Sequence, residues 1–145
     1  MKAIILAAGR GTRLGPYTAT TPKCLLPLGD RSLLERQLAT LRGAGIEDIT
    51  VVTGHGAAAI RFEGIHLRHN PDFATTNMVH SLFCAADRLV GDVVIAYGDI
   101  LYEPRVLEAL AAAPVSEVAV VGDTDWRVYY RARFGDPFAE AESVA

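Results

Sequence analysis

Apolar residues come in short blocks between polar, glycine-rich stretches, and the period within each block decides the element it forms. Ala3 to Ala7 is an unbroken apolar run, the pattern of a strand buried on both faces. Further strands are predicted at Ile49 to Thr53, Ile65 to Arg68, Val93 to Tyr97 and Val118 to Val121. Between the first two, Leu34, Leu38 and Leu41 recur on one helical face. Ser32 with Glu35 three residues on is a capping box that starts this helix, and Gly43 and Gly45 end it. A second helix is predicted from about Asn77 to Leu89, closed by Gly91, and a third from Pro104 to Ala112. Tyr17 to Thr21, polar and rich in threonine, reads as a mobile loop. Strands alternating with helices, with no repeat and no linker, predict an α/β domain: a mostly parallel sheet with helices on both faces and right-handed crossovers.

In such sheets ligands gather at the carboxyl ends of the strands. The first strand ends in Ala8-Gly9-Arg10-Gly11-Thr12-Arg13, and Lys23 follows shortly after. Gly9 and Gly11 let backbone N–H groups turn toward an anion, and Arg13 and Lys23 add positive charge, a combination that suits nucleotide phosphates. It is not a P-loop, since Gly15 is followed by Pro16 and no Lys-Ser/Thr pair occurs. Nor is it the dinucleotide fingerprint, whose third glycine would fall one residue earlier and whose second strand would end on an acid rather than on Val52-Thr53-Gly54. Asp99 leaves the strand Val93 to Tyr97 through Gly98, so its carboxylate is expected at the same sheet edge. One well-placed aspartate suffices for Mg²⁺, which completes its octahedron with phosphate oxygens and water.

Leu6 to Leu14 and Pro22 to Leu26 together resemble the signature of the nucleotidyltransferase family, L-A-A-G-x-G-[ST]-R-[LM] followed by P-K-x-L-[LV]. This family activates phosphorylated small molecules with an NTP. The resemblance continues through Ser32 to Arg36, Val51 to His55, Asn70 to Phe73, Thr76-Asn77, Ser81-Leu82 and Gly98-Asp99. Within the family, Asn70 to Leu82 looks most like bacterial phosphocholine cytidylyltransferases. The resemblance implies a Rossmann-like, GT-A-like nucleotidyltransferase domain over residues 1–145, with Mg²⁺ as cofactor. The implied catalytic residues are Arg13, Lys23 and Asp99, with Asp99 the metal ligand. The implied nucleotide-binding residues are Leu6, Ala8, Gly9, Gly11, Thr12 and Arg13, together with Thr76, Asn77 and Ser81. Arg13 suits the leaving triphosphate, where a planar fork bonds two oxygens, and Lys23 the point where two phosphates meet. Capping of a helix explains Thr76 and Asn77 as well as base contact does.

The expected reaction is transfer of CMP from CTP to a small phosphorylated acceptor such as phosphocholine, releasing pyrophosphate. The alternatives are a sugar-1-phosphate or molybdopterin-type nucleotidyltransferase using another NTP, and a catalytically silent nucleotide-binding subunit. For the acceptor, Asp123, Trp126, Tyr129 and Arg131 offer an aromatic and acidic enclosure for a quaternary ammonium. Aromatics at this spacing equally form a packed helix face. Complete family members continue with a second metal-binding carboxylate. The sequence is therefore expected to be a truncated or N-terminal portion whose site a C-terminal partner chain or homo-oligomer completes, or in which Asp123, Asp125, Glu140 or Glu142 substitutes.

Composition narrows these readings little. The 145 residues, half of them hydrophobic, suffice for one domain with a sizeable core. A net charge of -3 offers no basic face for nucleic acid or an anionic membrane. Met1-Lys2 leads straight into a strand rather than a leader, so the expected location is cytoplasmic. Cys24 and Cys84 form neither a disulfide framework nor a metal motif, though Cys24 beside Lys23 is a candidate reactive thiol. His66 and His69, three apart on a strand, are expected to face opposite ways. His80 is expected to pack among apolar helix neighbours, and His55 to line the site.

Overall fold

The computed structural model describes residues 1–114, 117–136 and 138, in two compact units, Met1–Glu108 and Ala109–Ala145. The first unit is built on β1 (Lys2–Ala7), β4 (Ile49–Thr53), β5 (Ile65–His69) and β6 (Val93–Tyr97), in the order β5-β4-β1-β6 with every pairing parallel. Ala7 is level with Thr53, and Leu6 with Tyr97, so three strands end at one edge. All of β4 is buried, as are Ile4 and Ile5 of β1, while β5 and β6 form the half-exposed flanks.

Side chains alternate across the sheet. On one face Ile4, Val52 and Ala85 form a core against Leu6, Leu82, Cys84, Leu89 and Val93. Ile5 and its register neighbour Val51 are fully buried on the other. Helix α1 (Leu33–Gly43) starts at the expected capping box: Glu35 N–H donates to Ser32 Oγ at 3.2 Å, and the Glu35 carboxylate accepts from Ser32 N–H at 2.6 Å. Leu34, Leu38 and Leu41 bury its apolar stripe, and Gln37 lies in the same stripe, 1% exposed. Before it, β2 (Pro27–Leu28) and β3 (Arg31–Ser32) form a small antiparallel hairpin turned by Gly29 at φ 71°. The sequence reading did not anticipate this hairpin, because two-residue strands are too short for alternation to register.

Four expectations need correction. The helix predicted from Asn77 to Leu89 is α2 (Met78–Phe83) followed by a separate 3₁₀ turn at Ala86–Arg88. It breaks at Ala85, whose φ of -113° and ψ of 28° turn its fully buried side chain into the core. His80 is exposed on α2 rather than packed. Tyr17 and Thr18 belong to a 3₁₀ segment, Thr12–Thr18, in which Thr18 is buried and its hydroxyl donates to Gly11 O at 2.8 Å. Residues 118–121 are irregular, with Val120 79% exposed. Valine-rich composition favours a half-buried pleated surface but does not by itself supply one. Helix α3 (Pro104–Ala112) lies where the sequence placed it.

The second unit contains α4 (Trp126–Phe134). Among the described residues no helix is long and apolar enough to cross a membrane.

Candidate active site

The glycine loop crosses the edge at which β1, β4 and β6 end. Gly11 takes a left-handed φ of 63° and starts the 3₁₀ segment Thr12–Thr18. A Cβ there would press on Thr18 and on Lys23 Cβ at 3.2 and 3.3 Å, so the loop closes tightly over the second half of the signature. Lys23 begins a 3₁₀ turn, Lys23–Leu25, after Pro22. From there its Nζ lies 2.6 Å from Asp99 Oδ2, joining residues 76 positions apart. Both side chains keep about two-fifths of their surface in water (37% and 43%). Such a pair is worth only about 0.2–1 kcal/mol and opens readily.

Arg10, Thr12, Gly15, Thr18, Ala19 and His55 line an open cleft of about 190 Å³ beside the loop. Among the described residues no carboxylate pairs with Arg10 or Arg13, and both are exposed. With the Arg10 guanidinium, two threonines and glycine backbone in its lining, the cleft suits an anion. Gly9 is exposed, with nothing within 4 Å of where a Cβ would stand.

One turn secures this edge from below. Gly54 packs so closely that a Cβ would lie 2.5 Å from Ala8 O and 2.7 Å from Phe73 Cβ. His55 N–H donates to Ala8 O at 3.1 Å, and His55 Nε2 meets Thr18 O at 2.8 Å. A Cβ on Gly56 would strike Pro22 Cδ at 2.7 Å. The segment Gly54-His55-Gly56 thus braces Ala8, Thr18 and Pro22 together, and His55 lines the cleft as anticipated.

Asp99 is set by its own supports. Gly98 N–H donates to Leu6 O at 2.8 Å, and a Cβ on Gly98 would lie 2.9 Å from Ala7 Cβ. Gln37 Nε2 reaches across from α1 to Tyr97 O at 2.8 Å and Ile100 O at 2.5 Å. Sequence reasoning missed Gln37. The available signal was a polar residue inside the Leu34–Leu38–Leu41 stripe, where only a partnered polar group is stable.

Asp99 Oδ2, half-exposed at the end of β6, already holds one cationic group, the Lys23 ammonium. Among the described residues no three His, Cys, Asp or Glu side chains gather into a metal cluster. Of the substitute ligands considered, Glu140 and Glu142 lie outside the described residues. Asp123 Oδ1 accepts from Asp125 N–H at 2.8 Å in a local turn.

The residues expected to read the base are tied to one another. Asn70, fully buried, receives an anchor from its own N–H to Thr53 O at 2.8 Å. Its Nδ2 donates to Thr76 Oγ1 and to Ser81 Oγ, each at 3.0 Å. Thr76 Oγ1 donates in turn to Asp72 O at 2.8 Å. Asn77 Oδ1 accepts from His80 N–H at 3.0 Å, so its oxygen caps α2. Ser81 is 5% exposed and its hydroxyl donates to Asn77 O at 3.3 Å. The Leu6 and Ala8 carbonyls are engaged by Gly98 and His55.

In the second unit the rings of α4 pack on each other. Trp126 meets Tyr130 edge-on at 5.5 Å, Tyr129 lies 5.9 Å from Tyr130, and the Arg127 guanidinium covers Trp126 at 5.5 Å. Arg131 is exposed on this helix. Cys24 is buried, and burial pushes its thiol up to about 11, so at neutral pH it is not the reactive thiolate its neighbour Lys23 suggested.

Comparison with known proteins shows the family. The model of the MobA-like NTP transferase domain matches residues 3–143. The chain is similar to a CTP:phosphoglutamine cytidylyltransferase of Campylobacter jejuni, 34% identical over 99% of this chain and 61% of that protein. It is also similar to a choline-phosphate cytidylyltransferase of Streptococcus pneumoniae, 36% identical over 71% of this chain and 47% of that protein. The solved structure of the Streptococcus pneumoniae CTP:phosphocholine cytidylyltransferase superposes with a TM-score of 0.64 at 32% identity, covering 72% of this chain and 49% of that one. The chain thus spans about half to three-fifths of the length of these relatives.

Proposed function

The chain belongs to the MobA-like NTP transferase family, and from that premise we propose that it carries CMP from CTP to a small phosphorylated acceptor such as phosphocholine. An acceptor phosphate oxygen attacks the α-phosphorus in line; the bond from the α-phosphorus to the bridging oxygen breaks, and pyrophosphate leaves. The observation that carries the reading is the meeting of Lys23 and Asp99 at 2.6 Å over the ends of β1 and β6. It supports a reading in which the second half of the signature and the acidic turn act together, beside the Gly11 turn that closes on Lys23. The choice of CTP is supported by the cytidylyltransferase activity of both relatives, and that of phosphocholine by the choline-phosphate enzyme.

Two polyanions must be brought together against their repulsion, and the chain supplies cations for this. Lys23 leaves its weak pairing with Asp99 for the phosphate oxygens where the new bond forms. Arg13, exposed and without a carboxylate partner among the described residues, takes the departing pyrophosphate with its planar fork. Asp99 is the residue that would hold Mg²⁺, which when bound supplies further neutralisation of phosphate charge. Gly9, with nothing within 4 Å of where a Cβ would stand, leaves open space for a flat base.

Titration calorimetry with CTP, GTP, UTP and ATP, with and without Mg²⁺, tests the reading. CTP with Mg²⁺ should bind most tightly, and Asp99→Asn should lose the metal-dependent increment while keeping its melting curve. Folded protein that binds no nucleotide would reject the proposal. Tighter binding of another NTP would turn it to the sugar-phosphate or molybdopterin type.

A further inference from the structure

The turn Gly98-Asp99 has no helix or strand of its own to hold it, yet its carboxylate must stand at a fixed point. Its two flanking carbonyls, Tyr97 O and Ile100 O, both accept from one atom, Gln37 Nε2, at 2.8 and 2.5 Å. Gln37 is 1% exposed, and its Oε1 is buried without a hydrogen-bond partner among the described residues. The orientation of the amide follows from chemistry, because the reverse would set its oxygen against two carbonyl oxygens. A buried orphan acceptor is costly, and a leucine would fill this stripe without that cost. Glutamine here is therefore explained by the two bonds it gives to the turn.

From this geometry we infer that Gln37 is a positioning residue for the reaction. It spans the backbone on both sides of Asp99 and fixes the direction of that carboxylate toward the cation and Lys23. The inference rests on the reading of Asp99 as the metal-binding residue. Helix α1 is capped at Ser32 and buried along its stripe, so Gln37 transmits the rigidity of a packed helix to an edge turn. Rigid support of this kind is what a metal-binding carboxylate needs to hold its angle.

The experiment measures Mn²⁺ binding by electron paramagnetic resonance in the presence of CTP, and CTP binding without metal by calorimetry. Wild type, Gln37→Met, Gln37→Leu, Asp99→Asn and the double variant Gln37→Met/Asp99→Asn are compared. Losing both bonds from Gln37 should weaken Mn²⁺ affinity about tenfold or more. Metal-free CTP affinity should be unchanged, and the Gln37→Met change should have no further effect on Mn²⁺ in the Asp99→Asn background. Wild-type Mn²⁺ affinity in a folded Gln37→Met or Gln37→Leu variant would overturn the inference. So would an equal loss of metal-free CTP binding, or a loss that persists in the double variant.

If Asp99→Asn binds Mn²⁺ as the wild type does, or the wild type binds none, the assignment of Asp99 itself has failed, which is a separate result. A measurement that needs no Gln37 variant covers the case in which the substitutions unfold the chain. The side-chain amide resonances of Gln37 should shift when Mg²⁺ and CTP are added to the wild type and stay fixed in Asp99→Asn. Unmoved resonances in a wild type that binds metal would overturn the inference.

Discussion

The residues that carry the proposed chemistry are cheap to disturb, whereas those that place them are not. Lys23 and Asp99 form a half-exposed pair, so Lys23→Ala should change unfolding free energy by no more than about 1 kcal/mol. Its effect on pyrophosphate release should be far larger, a loss of about 10²-fold or more, as expected when a cation that stabilises developing phosphate charge is removed. Parallel urea titrations and turnover assays check the split. A loss of activity that merely follows a loss of stability would reject the assigned role. Asp99 was legible because an acid follows a strand through a glycine, and Lys23 because Pro22 and Lys23 stand in the second half of the signature. Gln37 and Asn70 were not, because a buried amide shows its purpose only through the carbonyls and hydroxyls it meets.

Local signals were strongest where they were redundant. Helix α1 has a capping box, an apolar stripe and terminal glycines, and it runs where all of these place it. Helix α2 has an asparagine cap but ends early, because burying Ala85 outweighs the propensity of the residues that follow. The cap of α1 also makes an acid-sensitive contribution. Hydrogen bonds from the Ser32 backbone N–H and side chain hold the Glu35 carboxyl below its ordinary value. The folded value is thus the lower one, so this stabilisation is present above the unfolded carboxyl range and is lost as pH falls through the folded value. Melting temperature should drop below about pH 4.5 more steeply in the wild type than in Glu35→Gln, with the two converging in strong acid. Parallel curves across that window would show that the cap does not respond to this proton. Asp87, held low by Arg68, adds a second acid-sensitive contribution that both proteins share.

At the scale of the molecule, parallel α/β architecture was readable because strands with continuous or alternating apolar runs are separated by lengths that only crossovers fill. The order of those strands was not readable, since β-propensity says nothing about which edge a strand takes. That order, β5-β4-β1-β6, places the earliest strand between two later ones. Ribosomal synthesis therefore delivers Ile4 and Ile5 long before either hydrogen-bonding edge of β1 is covered, and the second edge is closed only by Val93 to Tyr97. Until then the nascent chain exposes an apolar strand with two open edges, the kind of segment that recruits chaperones and aggregates when translation outruns docking. Stalled nascent chains should become protease-resistant only once residue 97 has cleared the exit tunnel. Resistance appearing once β4 alone has emerged would show that half a sheet already shelters the strand. The nucleotide edge, assembled from the ends of these same strands, then comes into being only with the docking of β6.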